Sequence, residues 1–178
     1  MAGKIPVSVL IMTRNEAARI DRCLAALTDF DEVMVLDSGS TDETRTRAAA
    51  AGAAVIDFTW NGHYPKKRQW CLDHLALKHE WVFFVDADEV VTPALAEDMR
   101  GLDFSAAGYF VAGQYVFEGR VLRHGFRNNK LALLDRRRMA FPVVDDLDLP
   151  GMGEIEGHYQ PRLKPGYETD RIGFLKAP

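Results

Sequence analysis

An open α/β fold, with a mostly parallel sheet flanked by helices, is predicted by three features of this 178-residue sequence. Apolar strand-like runs alternate with helical patterns through the first half. The connections between them are short. One run, Trp81-Val82-Phe83-Phe84-Val85, is apolar at every position, as a strand buried on both faces must be. Such alternation implies parallel strands joined by right-handed crossovers.

Residues 7–12 form the first apolar β-rich run. Asn15 and Glu16 then open a helix on which Ile20, Cys23, Leu24 and Leu27 fall on one face. Residues 33–36 make the second strand, ending at Asp37. Ser38-Gly39-Ser40-Thr41-Asp42 is loop chemistry, and Thr41 or Asp42 can cap an Ala-rich helix over 43–51. A third strand at 54–58 leads to the turn Asn61-Gly62. Pro65 suits the first turn of a helix reaching about residue 77. After the buried strand at 81–85, Thr92-Pro93 starts another helix. Beyond Gly108 the pattern changes: 109–117 and 131–134 read as strands, no long amphipathic helix follows Gly101, and 150–166 reads as Gly- and Pro-rich loops with one short strand near 155–159. The chain stops at Lys176-Ala177-Pro178 without a closing element, the expectation for the front portion of a longer protein.

Composition narrows the chemistry. A hydrophobic content of 47% supports one substantial core, and the length suits a single domain over 1–178. A formal charge of -4 argues against generic nucleic-acid binding. The basic run at 118–138, with Arg120, Arg123, Arg127, Lys130, Arg136, Arg137 and Arg138, reads first as a solvated face, ahead of a phosphate or anionic-membrane contact, because no aromatic stacking pattern accompanies it. Cys23 and Cys71 lie among apolar residues without metal spacing, as buried free thiols of a reducing compartment would. With no leader and no stretch of about 18 apolar residues, the expected location is cytoplasmic, with room for peripheral association at the inner membrane's cytoplasmic face.

The buried strand ends in Asp86-Ala87-Asp88-Glu89. Asp86 and Asp88 share a face if the strand persists, and can converge on one hard cation if it has begun to turn. Carboxylates alone would repel a diphosphate: unit charges about 4 Å apart interact by roughly 4 kcal/mol at an effective dielectric of about 20. A bridging Mg2+ or Mn2+ reverses that sign. Two further strand ends, Thr13-Arg14-Asn15-Glu16 and Asp37-Ser38-Gly39-Ser40-Thr41-Asp42, aim polar residues at the same edge. Doubly wound sheets build nucleotide sites from such successive termini. Asp37 could accept from a pyrimidine N3-H, Thr13 and Glu16 could address base or ribose, and Gly39 would let backbone pass close to the ligand.

The order Val-Ser-Val-Leu-Ile-Met-Thr-Arg-Asn-Glu, Val-Leu-Asp-Ser-Gly-Ser-Thr-Asp-Glu-Thr, Phe-Val-Asp-Ala-Asp-Glu resembles the family 2 glycosyltransferases of GT-A fold, over roughly residues 5–100. The resemblance implies that Thr13, Asn15, Glu16, Asp37, Ser38 and Gly39 hold the nucleotide, that Asp86 and Ala87 reach ribose or metal, and that Asp88 ligates Mn2+ or Mg2+. His63-Tyr64-Pro65-Lys66-Lys67-Arg68-Gln69 resembles the basic helix start that touches the nucleotide, making Lys67 and Arg68 candidates; in isolation these cations read as a solvated helix face. It further implies a nucleotide-sugar half at 1–105 and an acceptor half at 106–178. Inverting transfer needs a carboxylate to take the acceptor proton. Where relatives place Glu-Asp or His-Glu, this chain has Val143-Val144-Asp145-Asp146, so Asp146 is the first candidate base and Asp145 the second, ahead of Glu154 and Glu156. His158 could approach the metal or diphosphate, although a His beside a Tyr is commonly structural. The Gln-x-x-Arg-Trp element of processive synthases is absent, favouring single addition.

The expectation is an inverting transferase moving a sugar from a nucleotide diphosphate, a UDP-sugar first, to a glycan or lipid-linked acceptor in envelope polysaccharide assembly. A nucleotidyltransferase of related fold would carry a Gly-rich basic loop after the first strand, and an aspartyl phosphatase would carry its Asp-x-Asp on that strand. A nucleotide-sugar binding module without full catalysis is the alternative from another class.

Overall fold

The computed structural model describes residues 3–122, 128–143 and 159–177. The first half runs β1 (Ile5–Thr13), α1 (Ile20–Ala25), β2 (Phe30–Asp37), α2 (Thr44–Ala50), β3 (Ala54–Asp57), α3 (Lys67–His74), β4 (Trp81–Asp86) and α4 (Pro93–Arg100). The second half runs β5 (Gly108–Gly113), β6 (Val116–Phe117), β7 (Arg120–Val121), β8 (Asn128–Asp135), β9 (Met139–Ala140), β10 (Arg162–Leu163) and β11 (Ile172–Phe174). A seven-stranded sheet has the order β11-β5-β8-β4-β1-β2-β3. Its neighbours are parallel except β8, which lies antiparallel between β4 and β5. The predicted open, mostly parallel α/β sheet is the observed one.

The central strands owe their place to composition. Val7, Val9 and Ile11 of β1 are fully buried on one face against α1 and α4 residues such as Ile20, Cys23, Leu95 and Met99. Leu10, with Leu36, Val82, Phe84 and Leu134, faces a second cluster that includes Cys71 and Leu72 of α3. Both cysteines are free and buried. Thr92 caps α4 as its Thr-Pro start predicts, its hydroxyl accepting from Leu95 N at 3.1 Å.

Two local expectations change. The first helix begins at Ile20, later than Asn15 and Glu16, because Asn15 adopts φ 57° and spends its polar groups on the neighbouring loop. The single strand expected at 109–117 is two: β5 ends at Gly113, and β6 and β7 form a separate hairpin. Its turn, Glu118-Gly119, has positive φ at both residues, as a tight two-residue hairpin requires. The strand expected near 155–159 lies outside the described residues except for Tyr159, which is not in a strand.

β11 was not anticipated. It pairs parallel with β5 and places Gly173 beside Tyr109, where a Cβ would stand 2.6 Å from ring carbon Cε1, so only glycine allows this approach.

The basic run is a correction as well. Asp135, at the end of β8, is fully buried and accepts from Arg137 Nη2 at 2.7 Å and Arg138 Nε at 2.8 Å. Arg138 also reaches Asp170 at 3.2 Å and the Ala106 carbonyl, and its guanidinium lies 5.7 Å from the Trp81 ring centre. Burial alone would raise the Asp135 carboxyl; Arg137 and Arg138 hold it below the ordinary carboxylate value. Arg136 pairs with Glu80 at 2.9 Å. Much of the run therefore ties the second half of the sheet together.

Candidate functional site

Parallel pairing brings the three polar strand ends to one edge. In register, Thr13 lies opposite Asp37 and Met12 opposite Asp86, with β1 between its two neighbours. The first two loops are stitched to each other. Asn15 N donates to Ser40 Oγ at 2.8 Å, and Asn15 Oδ1 accepts from Thr41 N at 2.8 Å. Glu16 N donates to Thr44 Oγ1 at 2.7 Å, and Ser38 N to the Thr13 carbonyl at 3.0 Å. Asp37 is fully buried and organises its own loop, accepting from Ser40 N at 2.8 Å, the Ser40 hydroxyl, and Thr13 Oγ1 at 3.2 Å. A carboxylate offers about four acceptor positions, so these bonds do not exhaust it. Gly39 turns with φ 73°, a left-handed conformation that favours glycine.

The third strand end closes as a turn. Glu89 N donates to the Asp86 carbonyl at 2.9 Å, and Asp86 N donates to Glu89 Oε2 at 3.0 Å. Ala87 is buried and Asp88 exposed. Of the two alternatives for Asp86-Ala87-Asp88, the chain has turned. Arg68 Nη2 pairs with Asp86 Oδ1 at 3.1 Å, while Lys130 Nζ pairs with Asp86 Oδ2 and with Glu89 Oε1, the latter at 2.5 Å.

Lys130 arrives through topology. β8 runs antiparallel to β4 with Trp81 opposite Asp135 and Phe83 opposite Leu133, so continuing that register sets Lys130 abreast of Asp86. Burial alone would raise the Asp86 carboxyl, but Lys130 and Arg68 hold it below its ordinary value. Burial would lower the Lys130 ammonium, and Asp86 and Glu89 instead raise it. Burial, followed by the charges of Glu89, Asp88 and Asp86, pushes the Cys23 thiol up to about 12, which makes it unreactive.

A cavity of about 420 Å³ opens beside this cluster, in the size range of small-ligand sites. Arg68, Asp86 and Lys130 give it charge, and Tyr115, Phe141 and Tyr159 give it aromatic walls. Thr13, Asp37 and Asp88 do not line it. At the basic helix start, Lys66 and Lys67 are buried rather than solvated, with Lys66 Nζ 5.2 Å from the Tyr159 ring centre and Lys67 Nζ 5.9 Å from that of Phe58. Asp145, Asp146, Glu154, Glu156 and His158 lie outside the described residues.

Asp86 and Asp88 are hard oxygen donors of the kind Mg2+ and Mn2+ prefer. Among the described residues no group of three His, Cys, Asp or Glu side chains is placed to hold a metal by itself. That donor set fits a cation bound through one or two carboxylates and completed by a ligand's phosphate oxygens. Sequence reasoning took Lys130 as one cation of the basic run and missed its place at the carboxylates, together with the aromatic walls. The signal for Lys130 was present: one cation opens the run Leu131-Ala132-Leu133-Leu134, and an antiparallel placement beside β4 puts that end at the carboxylates.

The curated relatives match about half of this chain. An uncharacterized glycosyltransferase of Rickettsia bellii is 36% identical over 95 residues, covering 53% of this chain and 31% of the relative. The lipopolysaccharide core biosynthesis glycosyltransferase LpsC of Rhizobium meliloti is 34% identical over 106 residues, covering 54% and 37%. The chain thus spans about a third of the length of the curated relatives it matches. Among solved structures, Mycobacterium tuberculosis glucosyl-3-phosphoglycerate synthase in complex with UDP has a TM-score of 0.45 and 26% identity, covering 61% of this chain and 45% of that one. Among the described residues, no helix is long and apolar enough to cross a membrane. Residues 8–153 match the family described as glycosyl transferase family 2, and the chain belongs to that family.

Proposed function

We propose that this chain carries the donor site of an inverting glycosyltransferase that moves a sugar from a nucleotide diphosphate, a UDP-sugar first, to a glycan or lipid-linked acceptor in cell-envelope polysaccharide assembly. The observation that carries the reading is the cavity at the carboxyl edge of the parallel strands, where Asp86, Arg68 and Lys130 meet. The charge of the cavity supports a donor there: Arg68 and Lys130 offer cations to the diphosphate, while the buried Asp37 and Thr13 lie outside the cavity lining and brace the neighbouring strand ends on the side assigned to the base. The LpsC name supports an envelope acceptor, and an acceptor of that kind would bring the protein to the inner membrane's cytoplasmic face.

Asp88, with Asp86, would hold Mn2+ or Mg2+, which when bound offsets the charge developing on the leaving diphosphate. The acceptor oxygen attacks the anomeric carbon in line, the bond from that carbon to the diphosphate oxygen breaks, and the acceptor proton passes to a carboxylate. Asp146 is assigned that role and Asp145 is its alternate, within the half assigned to the acceptor. Asn15, Glu16, Ser38 and Gly39 shape the donor loops, and Lys67 backs the helix start from which Arg68 projects.

The test is a panel of UDP-sugars with Mn2+, read as sugar transfer or hydrolysis. Wild type is expected to turn over at least one donor. Asp146→Asn is expected to keep UDP binding and lose at least a hundredfold in rate, the lower range for a general base. Wild-type rates in that variant would move the base elsewhere, and binding without turnover by any donor would favour a binding module.

A further inference from the structure

Asp86 and Glu89, at the end of β4, are already neutralised by the chain itself. Lys130 Nζ bridges Asp86 and Glu89, and Arg68 takes the other Asp86 oxygen. These two carboxylates face two cations and are balanced without any ion, while the exposed Asp88 lies outside these pairs. The side chains are only partly shielded, Lys130 at 25% exposure and Asp86 and Glu89 at 36% each, so the ammonium can leave without unpacking the sheet. Lys130 also lines the cavity, so an anion bound there offers it a second partner on the same side.

We propose that Lys130 is a built-in counter-cation that competes with the divalent metal for Asp86, a specificity-determining residue that keeps the site closed to metal alone. This rests on the reading of Asp86 as a metal-side carboxylate. A dication approaching the balanced cluster must displace an ammonium held by two carboxylates while another cation stays beside it. Removing the ammonium leaves Asp86 and Glu89 facing Arg68 alone, with a net negative charge that attracts Mn2+. Lysine suits this use because its charge is compact and its four-carbon stem is flexible, so the head group can move while β8 stays in register. A nucleotide diphosphate drawing the ammonium aside would relieve the competition, and linkage makes that coupling reciprocal.

Mn2+ binding measured by the paramagnetic resonance signal of the free ion, without nucleotide, tests this independently of turnover. Lys130→Met and Lys130→Gln are expected to bind Mn2+ at least tenfold more tightly than wild type, and Lys130→Arg, which keeps the charge, to stay within threefold of it. The glutamine variant guards against a packing defect particular to methionine, and circular dichroism checks the fold of each. If neither neutral variant binds Mn2+ more tightly than wild type, the competition does not exist and the proposal is overturned. A UDP arm separates the two readings: Mn2+ affinity in wild type that does not respond to UDP contradicts the donor-site assignment, whereas the nucleotide-free comparison bears on Lys130 alone.

Discussion

Asp88→Ala is expected to abolish the metal-dependent part of the stabilisation that UDP confers, while leaving the free protein's stability near that of wild type. Asp88 is exposed in a turn whose closing bonds are made by Asp86 and Glu89, so the fold does not depend on its carboxylate. The donor site does, in this account, because Asp86 already shares its oxygens with Arg68 and Lys130. A ligand at about 100 times its Kd stabilises by roughly 2.7 kcal/mol. For a chain of this size each kcal/mol moves Tm by about 2–4 °C, so UDP with Mn2+ should raise Tm by roughly 5–10 °C in wild type. In Asp88→Ala, adding Mn2+ should add nothing to the effect of UDP. An undiminished Mn2+ increment in that variant removes Asp88 from the site.

The largest expected loss of stability without loss of core volume comes from Arg138→Ala. Asp135 is fully inaccessible, and Arg138 also supports the Ala106 carbonyl, Asp170 and the Trp81 ring. Removing one partner of a buried pair typically costs about 3–5 kcal/mol. Arg137 stays on Asp135, so a cost near 3 kcal/mol is expected, read as a lower urea midpoint with an unchanged slope. The pH dependence has a definite sign. The Asp135 carboxyl is held below the ordinary value of 3.8, so its pairing contributes fully above that pH and is lost as pH falls through the lower folded value. The gap between wild type and variant should therefore be constant from pH 5 to 7 and narrow as the solution is acidified below about 4. A gap that widens on acidification contradicts this account of the pair.

The parallel core was legible because burial on both faces leaves an unmistakable pattern. Trp81 to Val85 has no polar interruption, and Val7 to Met12 has one, Ser8, whose hydroxyl is buried against Glu32. Capping chemistry was equally local, so Thr92-Pro93 marked its helix start correctly. What escaped depended on partners distant in sequence. β11 is three residues long and gains its place from Tyr109 and Gly173 fitting together. The arginines at 136–138 read as a solvated face because Glu80 and Asp170 meet them only in the folded sheet, and because the burial of the neighbouring Asp135 follows from the insertion of β8 between β4 and β5. The same insertion brought Lys130 to Asp86. At the site, carboxylate positions were legible from the strand ends, but their neutralisation was not, since an antiparallel strand order leaves no periodic mark on a sequence.

The central claim is that the carboxyl edge of β1, β2 and β4 receives a nucleotide diphosphate together with a divalent cation. Amide spectra of the uniformly labelled protein, recorded with UDP and substoichiometric Mn2+, test it directly through paramagnetic broadening. Signals from Asp86 to Glu89 and from Lys130 should vanish first, while those of Ile5 and Phe30, paired at the opposite end of β1 and β2, stay sharp. Equal broadening at both ends of the sheet, or broadening that leaves Asp86 and Lys130 untouched, would contradict it.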